Sequence, residues 1–240
     1  MTKINILGCN VDNVDTSLTL QIIDSYIKER TPRHIITLNA EIIYRALNEP
    51  TLKEIINDAD LVTPDGAGVV WAAKHLGVPL KERVTGIDLL TKISSLAPQK
   101  GWKLYFYGGA EGVCAEAKAK LEKQFTGINI VGTKHGFLSH EETQEMIADI
   151  KASQPDIIFV ALGAPRQEYW IKEHKAKLGI PVSIGVGGSF DVIAGKAKRA
   201  PVIMQNLKLE WLYRLAKEPW RYKRMLALPK FVIEVMKRGK

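Results

Sequence analysis

Apolar residues along the chain follow two alternating rhythms. Short β-branched runs at residues 4–7, 34–38, 61–63, 103–107, 128–133, 157–161 and 182–186 alternate with longer stretches where apolar positions recur every three or four residues. The second rhythm predicts helices over about 16–28, 40–47, 68–75, 89–96, 111–124, 141–152 and 165–177. Strands that alternate with helices build a parallel sheet covered on both sides. The expected fold is therefore an α/β body, residues 1–195, with a doubly wound, mostly parallel sheet and helices on both faces. Beyond Gly195 no strand pattern appears. Pro201 is expected to open a helix with Ile203, Leu207, Trp211 and Leu215 along one side, and Pro219 and Pro229 to divide the rest into pieces over 220–228 and 230–238. Residues 196–240 thus read as a helical appendage.

Charge sharpens that division. Residues 1–195 hold 21 Lys and Arg against 23 Asp and Glu, whereas residues 196–240 hold 13 against 3, so the net charge of +8 belongs to the appendage. A basic helical segment of this kind is a nucleic-acid arm, an anionic-membrane contact or a solvated face. With 46% hydrophobic and 25% charged residues the chain is ordinary globular material. Its longest stretch free of charge, residues 178–190, is 13 long and contains Pro181, whereas a spanning helix takes about 18–20 apolar residues. The N-terminus shows no basic segment followed by an apolar one, so a cytoplasmic location is expected. Cys9 and Cys114 each lie inside an apolar segment, which fits reduced packing residues.

In such sheets ligands bind beyond the carboxyl ends of the strands, so polar and glycine-rich residues just after each strand are the candidates for chemistry. At the end of the second run stand Thr37 and Asn39. After the third comes Thr63-Pro64-Asp65-Gly66-Ala67-Gly68, where Asp65 is either a helix cap or a carboxylate able to take a proton from a hydroxyl. Tyr107-Gly108-Gly109-Ala110-Glu111-Gly112 and Gly185-Val186-Gly187-Gly188-Ser189-Phe190-Asp191 are two glycine turns, each either a plain tight turn or a seat for phosphate. Asp191 stands within reach of a ribose hydroxyl, and two such turns in one sheet favour a nucleotide. Gln167 is either an exposed first-turn residue or a donor and acceptor for a sugar, and Arg83, with no carboxylate at helical spacing, is either a surface arginine or the partner of an anion such as a diphosphate.

Other chemistries find less support. Asp58-Ala59-Asp60 has the spacing of a divalent-cation motif but stands upstream of a strand. His34, His75, His135, His140 and His174 show no ligand spacing, and no Gly-X-Ser-X-Gly elbow occurs. An oxidoreductase would carry Gly-X-Gly-X-X-Gly, but the first turn, Gly8-Cys9-Asn10-Val11-Asp12, has one glycine. A nucleic-acid-binding protein would use the basic segment and leave the glycine turns without purpose.

Several blocks together resemble the WecG/TagA/CpsF glycosyltransferases. They are Thr-Pro-Asp-Gly-Ala-Gly-Val-Val (63–70), Arg-Val-Thr-Gly-Ile-Asp-Leu (83–89), Tyr-Gly-Gly-Ala-Glu-Gly-Val (107–113), Gly-Ala-Pro-Arg-Gln-Glu-Tyr-Trp (163–170), Gly-Val-Gly-Gly-Ser-Phe-Asp (185–191) and Ala-Gly-Lys-Ala-Lys-Arg-Ala-Pro (194–201), together with the segment 209–224. The resemblance implies a UDP-N-acetylmannosamine donor and an undecaprenyl-diphosphate-linked N-acetylglucosamine acceptor. It also implies transfer with inversion, no metal and no cofactor; a uronic acid donor or a capsule product is the alternative within the family. With those substrates, the residues permit a one-step inversion in which Asp65 is the base, Thr37, Asn39 and Gln167 contact the sugars, and Arg83, Arg214, Arg221 and Arg224 meet the diphosphate. The glycines Gly108, Gly109, Gly187 and Gly188 and the carboxylate of Asp191 then serve the nucleotide. Because that acceptor lies in a membrane, the basic segment with Trp211, Trp220, Leu226 and Phe231 is expected to lie on an anionic bilayer surface, at the inner face of the cell membrane, rather than on nucleic acid. Homo-oligomerisation is left open.

Overall fold

The computed structural model describes residues 1–206, 209–219 and 222–238. Along the chain run β1 (Lys3–Ile6), β2 (Cys9–Asp12), α1 (Thr16–Glu29), β3 (Arg33–Leu38), α2 (Ala40–Ala46), α3 (Pro50–Asn57), β4 (Leu61–Pro64), α4 (Ala67–His75) and α5 (Gly86–Lys100). There follow β5 (Lys103–Gly108), α6 (Val113–Gln124), β6 (Asn129–Lys134), α7 (His140–Ser153), β7 (Ile157–Ala161), α8 (Arg166–Leu178), β8 (Val182–Gly185) and α9 (Ser189–Ile193). The C-terminal segment forms α10 (Val202–Asn206), α11 (Glu210–Lys217), α12 (Tyr222–Met225) and α13 (Ala227–Arg238).

Six strands pair in the order β4-β3-β8-β7-β5-β6, every pair parallel, with helices on both faces. This is the α/β architecture the alternation predicts. β3, β7 and β8 are buried along nearly their whole length because both faces are covered. Ile35, Phe106, Phe159 and Ile184 pack toward α1, α5 and α6, while Ile36, Leu38 and Val62 pack toward α2, α3 and α4.

Several expectations change. The predicted first strand, residues 4–7, does not join the main sheet; β1 and β2 form a separate antiparallel hairpin. Its turn places Leu7 at φ 54° and Gly8 at φ 90°, the left-handed pair that a two-residue hairpin needs. Asn57 at the end of α3 holds it from outside, donating to Gly8 O at 3.0 Å and accepting from Asn10 N at 2.9 Å. Nor does Pro229 divide the C-terminal segment, since α13 runs unbroken through it. A proline in the first turn lacks only an N–H that would have no partner there.

α13 belongs to the core of the body. Phe231, expected on a membrane surface, is instead 1% exposed and with Val235, at 0%, joins the apolar cluster of α2, α3 and α4. Truncating such a buried phenylalanine costs about 3–5 kcal/mol. The stripe predicted from Pro201 onward is split instead between α10 and α11, and its Ile203 and Trp211 face solvent at 73% and 42% exposure. Its Leu207 lies outside the described residues. Cys9 and Cys114 are buried free thiols, whose pKa values burial pushes up to about 11 and about 12.

Candidate active site

Parallel strands bring their carboxyl ends to one edge, where the following helices begin. At that edge Asn39 follows β3 and caps α2, its Oδ1 accepting from Ile42 N at 3.0 Å. The next strand ends at Pro64, and Asp65 N donates to Leu38 O at 2.8 Å, which sets Asp65 beside Asn39. Gly66 follows at φ 107°, a backbone that L side chains rarely adopt, and lies against Asn39, whose Cβ is 3.7 Å from the position a Gly66 Cβ would take.

The N-cap of α4 is Gly66, which has no side chain to bond the first turn, and Asp65 stands one residue ahead of it. Asp65 Oδ2 accepts from Gly86 N at 3.1 Å, in the first turn of α5, where the helix dipole favours a negative charge. Gly86 is crowded from two sides: a Cβ there would come within 3.3 Å of Val186 Cα and 3.4 Å of Thr37 Oγ1. Thr37 Oγ1 in turn donates to Gly185 O at 2.8 Å. The ends of β3, β4 and β8 and the start of α5 are thus one contiguous cluster, and Thr37, Asn39 and Asp65 meet within it.

Gln167 reaches the same cluster from α8. It is 2% exposed, its Oε1 accepts from Gly187 N at 3.0 Å, and its Nε2 donates to Glu168 Oε1 at 2.8 Å. Both ends of the amide are therefore engaged inside the protein. Glu168 is fully buried, its Oε2 has no hydrogen-bond partner, and burial pushes its carboxyl up to about 7 against the bond from Gln167. Sequence reasoning passed over Glu168. The signal was present in spacing, because residue 168 precedes Ile171 by three positions on the buried side of α8.

The glycine turns sit along the same edge. Gly109 N donates to Ala161 O and Gly109 O accepts from Gly136 N, both at 2.9 Å, while Val186 N donates to Val160 O at 2.9 Å. Gly108 is required by close approach, as a Cβ would lie 2.5 Å from the Ala161 backbone. Gly188 precedes α9, whose Asp191 has its Oδ2 3.7 Å from the position of a Gly188 Cβ. Its charge also reaches Cys114, which donates to Gly108 O at 2.8 Å. Asp191 therefore lies between the two turns.

Arg83 precedes α5 in a loop whose Val84 N donates to Pro64 O at 2.9 Å. It has a partner that local spacing did not show: its Nη1 donates to Glu210 Oε2 in α11. Arg199 stands 3.7 Å from the other oxygen of Glu210 and forks onto Asp88 at 2.8 and 3.1 Å, tying α11 to the first turn of α5. Arg224 forks onto Glu41 at 2.7 and 3.2 Å, in the first turn of α2, two residues from Asn39. Arg221 and Trp220 lie outside the described residues, as does the side chain of Arg214. The Asp-X-Asp pair is occupied elsewhere, Asp58 by Lys172 and Asp60 by Arg33, Lys175 and His34 N. Among the described residues no three His, Cys, Asp or Glu side chains gather so as to hold a metal ion.

Comparison with known proteins agrees in extent with this arrangement. A Bacillus spizizenii protein named N-acetylglucosaminyldiphosphoundecaprenol N-acetyl-beta-D-mannosaminyltransferase is 39% identical over 227 residues, 95% of this chain and 88% of that protein. Proteins of the same name from Bacillus subtilis and Staphylococcus aureus are 34% and 33% identical, over 96% and 98% of this chain and 91% and 92% of their own. The profile of the glycosyl transferase WecG/TagA/CpsF family matches residues 4–240, which include the whole six-stranded sheet and every glycine turn and candidate side chain described above, and the chain belongs to that family.

Proposed function

We propose that the protein transfers N-acetylmannosamine from UDP-N-acetylmannosamine to the 4-hydroxyl of N-acetylglucosamine carried on undecaprenyl diphosphate, with inversion and without a metal ion. The names of the relatives support the acceptor and the sugar transferred. The observation that carries the chemistry is Asp65, set at the carboxyl edge with Oδ2 on the α5 amide and with Thr37 and Asn39 beside it.

One-step inversion needs a base on the acceptor side and a sink for charge on the leaving side. Asp65 takes the proton of the 4-hydroxyl as that oxygen bonds to the anomeric carbon and the bond from this carbon to the diphosphate oxygen breaks. Thr37 and Asn39 orient the sugars. Gln167 contributes through the turn it holds at Gly187. Arg83, with Arg214, Arg221 and Arg224 from the C-terminal segment, meets the charge on the departing UDP, while Asp191 and the turns at Gly108–Gly109 and Gly187–Gly188 hold its nucleoside.

The C-terminal helices serve as the contact with an anionic membrane surface. Of the ten large apolar side chains that stand exposed among the described residues, seven fall after residue 200, including Ile203, Trp211, Leu226 and Ile233. Apolar groups of this kind beside a surplus of Lys and Arg match the requirements of an interfacial anchor, each cation adding about 1 kcal/mol on anionic lipid. No described helix is long and apolar enough to cross a membrane.

The test is product formation from UDP-N-acetylmannosamine and a lipid-diphosphate N-acetylglucosamine analogue, with and without EDTA. Transfer that persists in EDTA is expected; transfer abolished by EDTA and restored by a divalent cation rejects the metal-free route, and no transfer at all rejects the substrates. Sedimentation with anionic vesicles is expected to fall when Ile203 and Trp211 are changed to serine, and binding to RNA in place of vesicles contradicts the membrane reading.

A further inference from the structure

An amide such as that of Gln167 can be turned through 180° about its last bond, exchanging oxygen for nitrogen at almost no steric cost. Here one orientation works. Gly187 N–H points at it and calls for the oxygen, so Nε2 is left facing inward and needs an acceptor. Gly185 forms the wall beside it, where a Cβ would lie 2.5 Å from Nε2. Glu168 supplies the acceptor, Oε1 at 2.8 Å, from the neighbouring position of α8. Without it the amide nitrogen would be a buried donor with nothing to bind, and turning the group round would set two donors against each other.

The presence of a glutamate at 0% exposure is otherwise unexplained. Among the described residues it touches no cation, and its Oε2 has no partner. An apolar side chain would pack there at less cost. Its one polar contact with another side chain is Gln167. A carboxyl performs this task in either protonation state, since the neutral acid keeps a carbonyl lone pair.

What Gln167 holds is central to the site. The turn after β8 is gripped by Gln167 at Gly187 N and by Thr37 at Gly185 O, and its Val186 Cα bounds Gly86, the residue whose amide holds Asp65. We propose that Glu168 is a positioning residue for the sugar transfer: its buried carboxyl sets the orientation of the Gln167 amide, and through it the turn against which Thr37 and Gly86 pack. This rests on the reading that the turn at residues 185–188 is part of the transferase site.

Two readouts on the full-length protein separate the parts of this claim. The first is hydrogen exchange at Gly187 N–H, which reports the turn directly. Glu168→Met keeps the volume and removes the acceptor; it is expected to speed Gly187 exchange at least tenfold relative to a reference amide in β7, while Glu168→Gln, which retains an acceptor oxygen, restores most of the protection. The second is kcat/KM, expected to drop about 10- to 100-fold in Glu168→Met, with Glu168→Gln recovering most of it. In a Gln167→Ala background the same Glu168→Met change is expected to cost nothing further, the non-additivity of groups acting as one unit. Should Glu168→Met fail to fold, Glu168→Ala, which also removes the acceptor, takes its place in the wild-type and Gln167→Ala backgrounds with the same expectations. Unchanged Gly187 exchange, or full additivity with Gln167→Ala, overturns the proposal. Faster exchange with undiminished transfer removes the turn from the site instead, and with it the claim that Glu168 serves the reaction.

Discussion

Two aspartates stand at opposite ends of β4, Asp60 just before it and Asp65 just after. Asp60 accepts from His34 N at 2.8 Å, Arg33 at 3.0 Å and Lys175 at 3.3 Å. Asp65 accepts from the first-turn amide of α5. The contrast follows from the parallel sheet. Helices end at the amino edge of the strands and begin at the carboxyl edge, so the amino edge collects the last-turn cations and the carboxyl edge the first-turn amides. Lys175 comes from the last turn of α8. Asp156, just ahead of β7, repeats the amino-edge pattern with Arg30 and Lys103 N. A carboxylate at the amino edge is thereby committed to structure, and one at the carboxyl edge is held by dipoles at the place where ligands arrive.

The largest expected effect tests that division directly. Asp65→Asn keeps the shape and the bond from Gly86 but removes the base, and should lower kcat by about 10²- to 10⁴-fold with little change in Tm. Steady-state turnover and thermal melting on one preparation check this, and a variant that turns over normally ends the assignment.

Next in size is a pH effect that sets the buried acid of the carboxyl edge against the buried imidazole of the amino edge. Glu168 is pushed up to about 7 by burial, from 4.5, so the folded state binds its proton more tightly than the unfolded chain does. Its contribution is full below pH 4.5 and is lost as pH rises through about 7, an amount of roughly 3 kcal/mol at about 1.4 kcal/mol per pH unit. His34 works in the opposite sense. Burial pushes it down to about 3, with Lys175 and Lys172 adding and Asp60 opposing, so its contribution is full above pH 6.5 and fades as pH falls. Because His34 is common to both proteins, the stability difference between Glu168→Gln and wild type isolates Glu168. That difference should shift toward the variant by about 3 kcal/mol between pH 4 and pH 8 in denaturant titrations. A difference that does not move with pH contradicts the buried, uncompensated carboxyl.

Smaller still is the amino-edge counterpart, Asp60→Ala. It strands His34 N and two cations and should cost about 2 kcal/mol of stability, while turnover per folded molecule stays at the wild-type value. Lost turnover in a fully folded Asp60→Ala protein would erase the distinction between the two ends of the strand.

How much of this could be read from the chain itself depended on how local each cause was. The strands and most helices could, because a buried parallel strand is apolar on both faces and a helix repeats every 3.6 residues. Thr37, Asn39, Asp65 and the glycine turns could as well, since the rule that points to them refers only to the residues following a strand. The hairpin of β1 and β2 could not: its turn is Leu7-Gly8 rather than Asn-Gly, and the side chain that steadies it, Asn57, is 47 residues from Asn10. The partner of Arg83 was hidden for the same reason, Glu210 lying 127 residues away. Glu168 was hidden differently. Its neighbour Gln167 drew attention as a sugar contact, whereas the fold buries both and makes one the support of the other.

The smallest effect concerns that distant partner. Arg83 stands beside Asp65 at the carboxyl edge, yet its guanidinium carries a carboxylate from α11, a charge of the same sign as the diphosphate assigned to it. Both members of the pair are 23% exposed, so the interaction is worth about 1 kcal/mol or less after screening. Arg199 stands 3.7 Å from the other oxygen of Glu210 and is held independently by its fork onto Asp88. Glu210→Gln weakens the competition for Arg83 and leaves Arg199 on Asp88, and should lower the KM for the UDP-sugar by about two- to fivefold while kcat holds. If Glu210 instead orients Arg83 for the diphosphate, the same change raises KM. The direction of a single KM thus decides whether the carboxyl edge has one acid that serves the ligand, Asp65, or two.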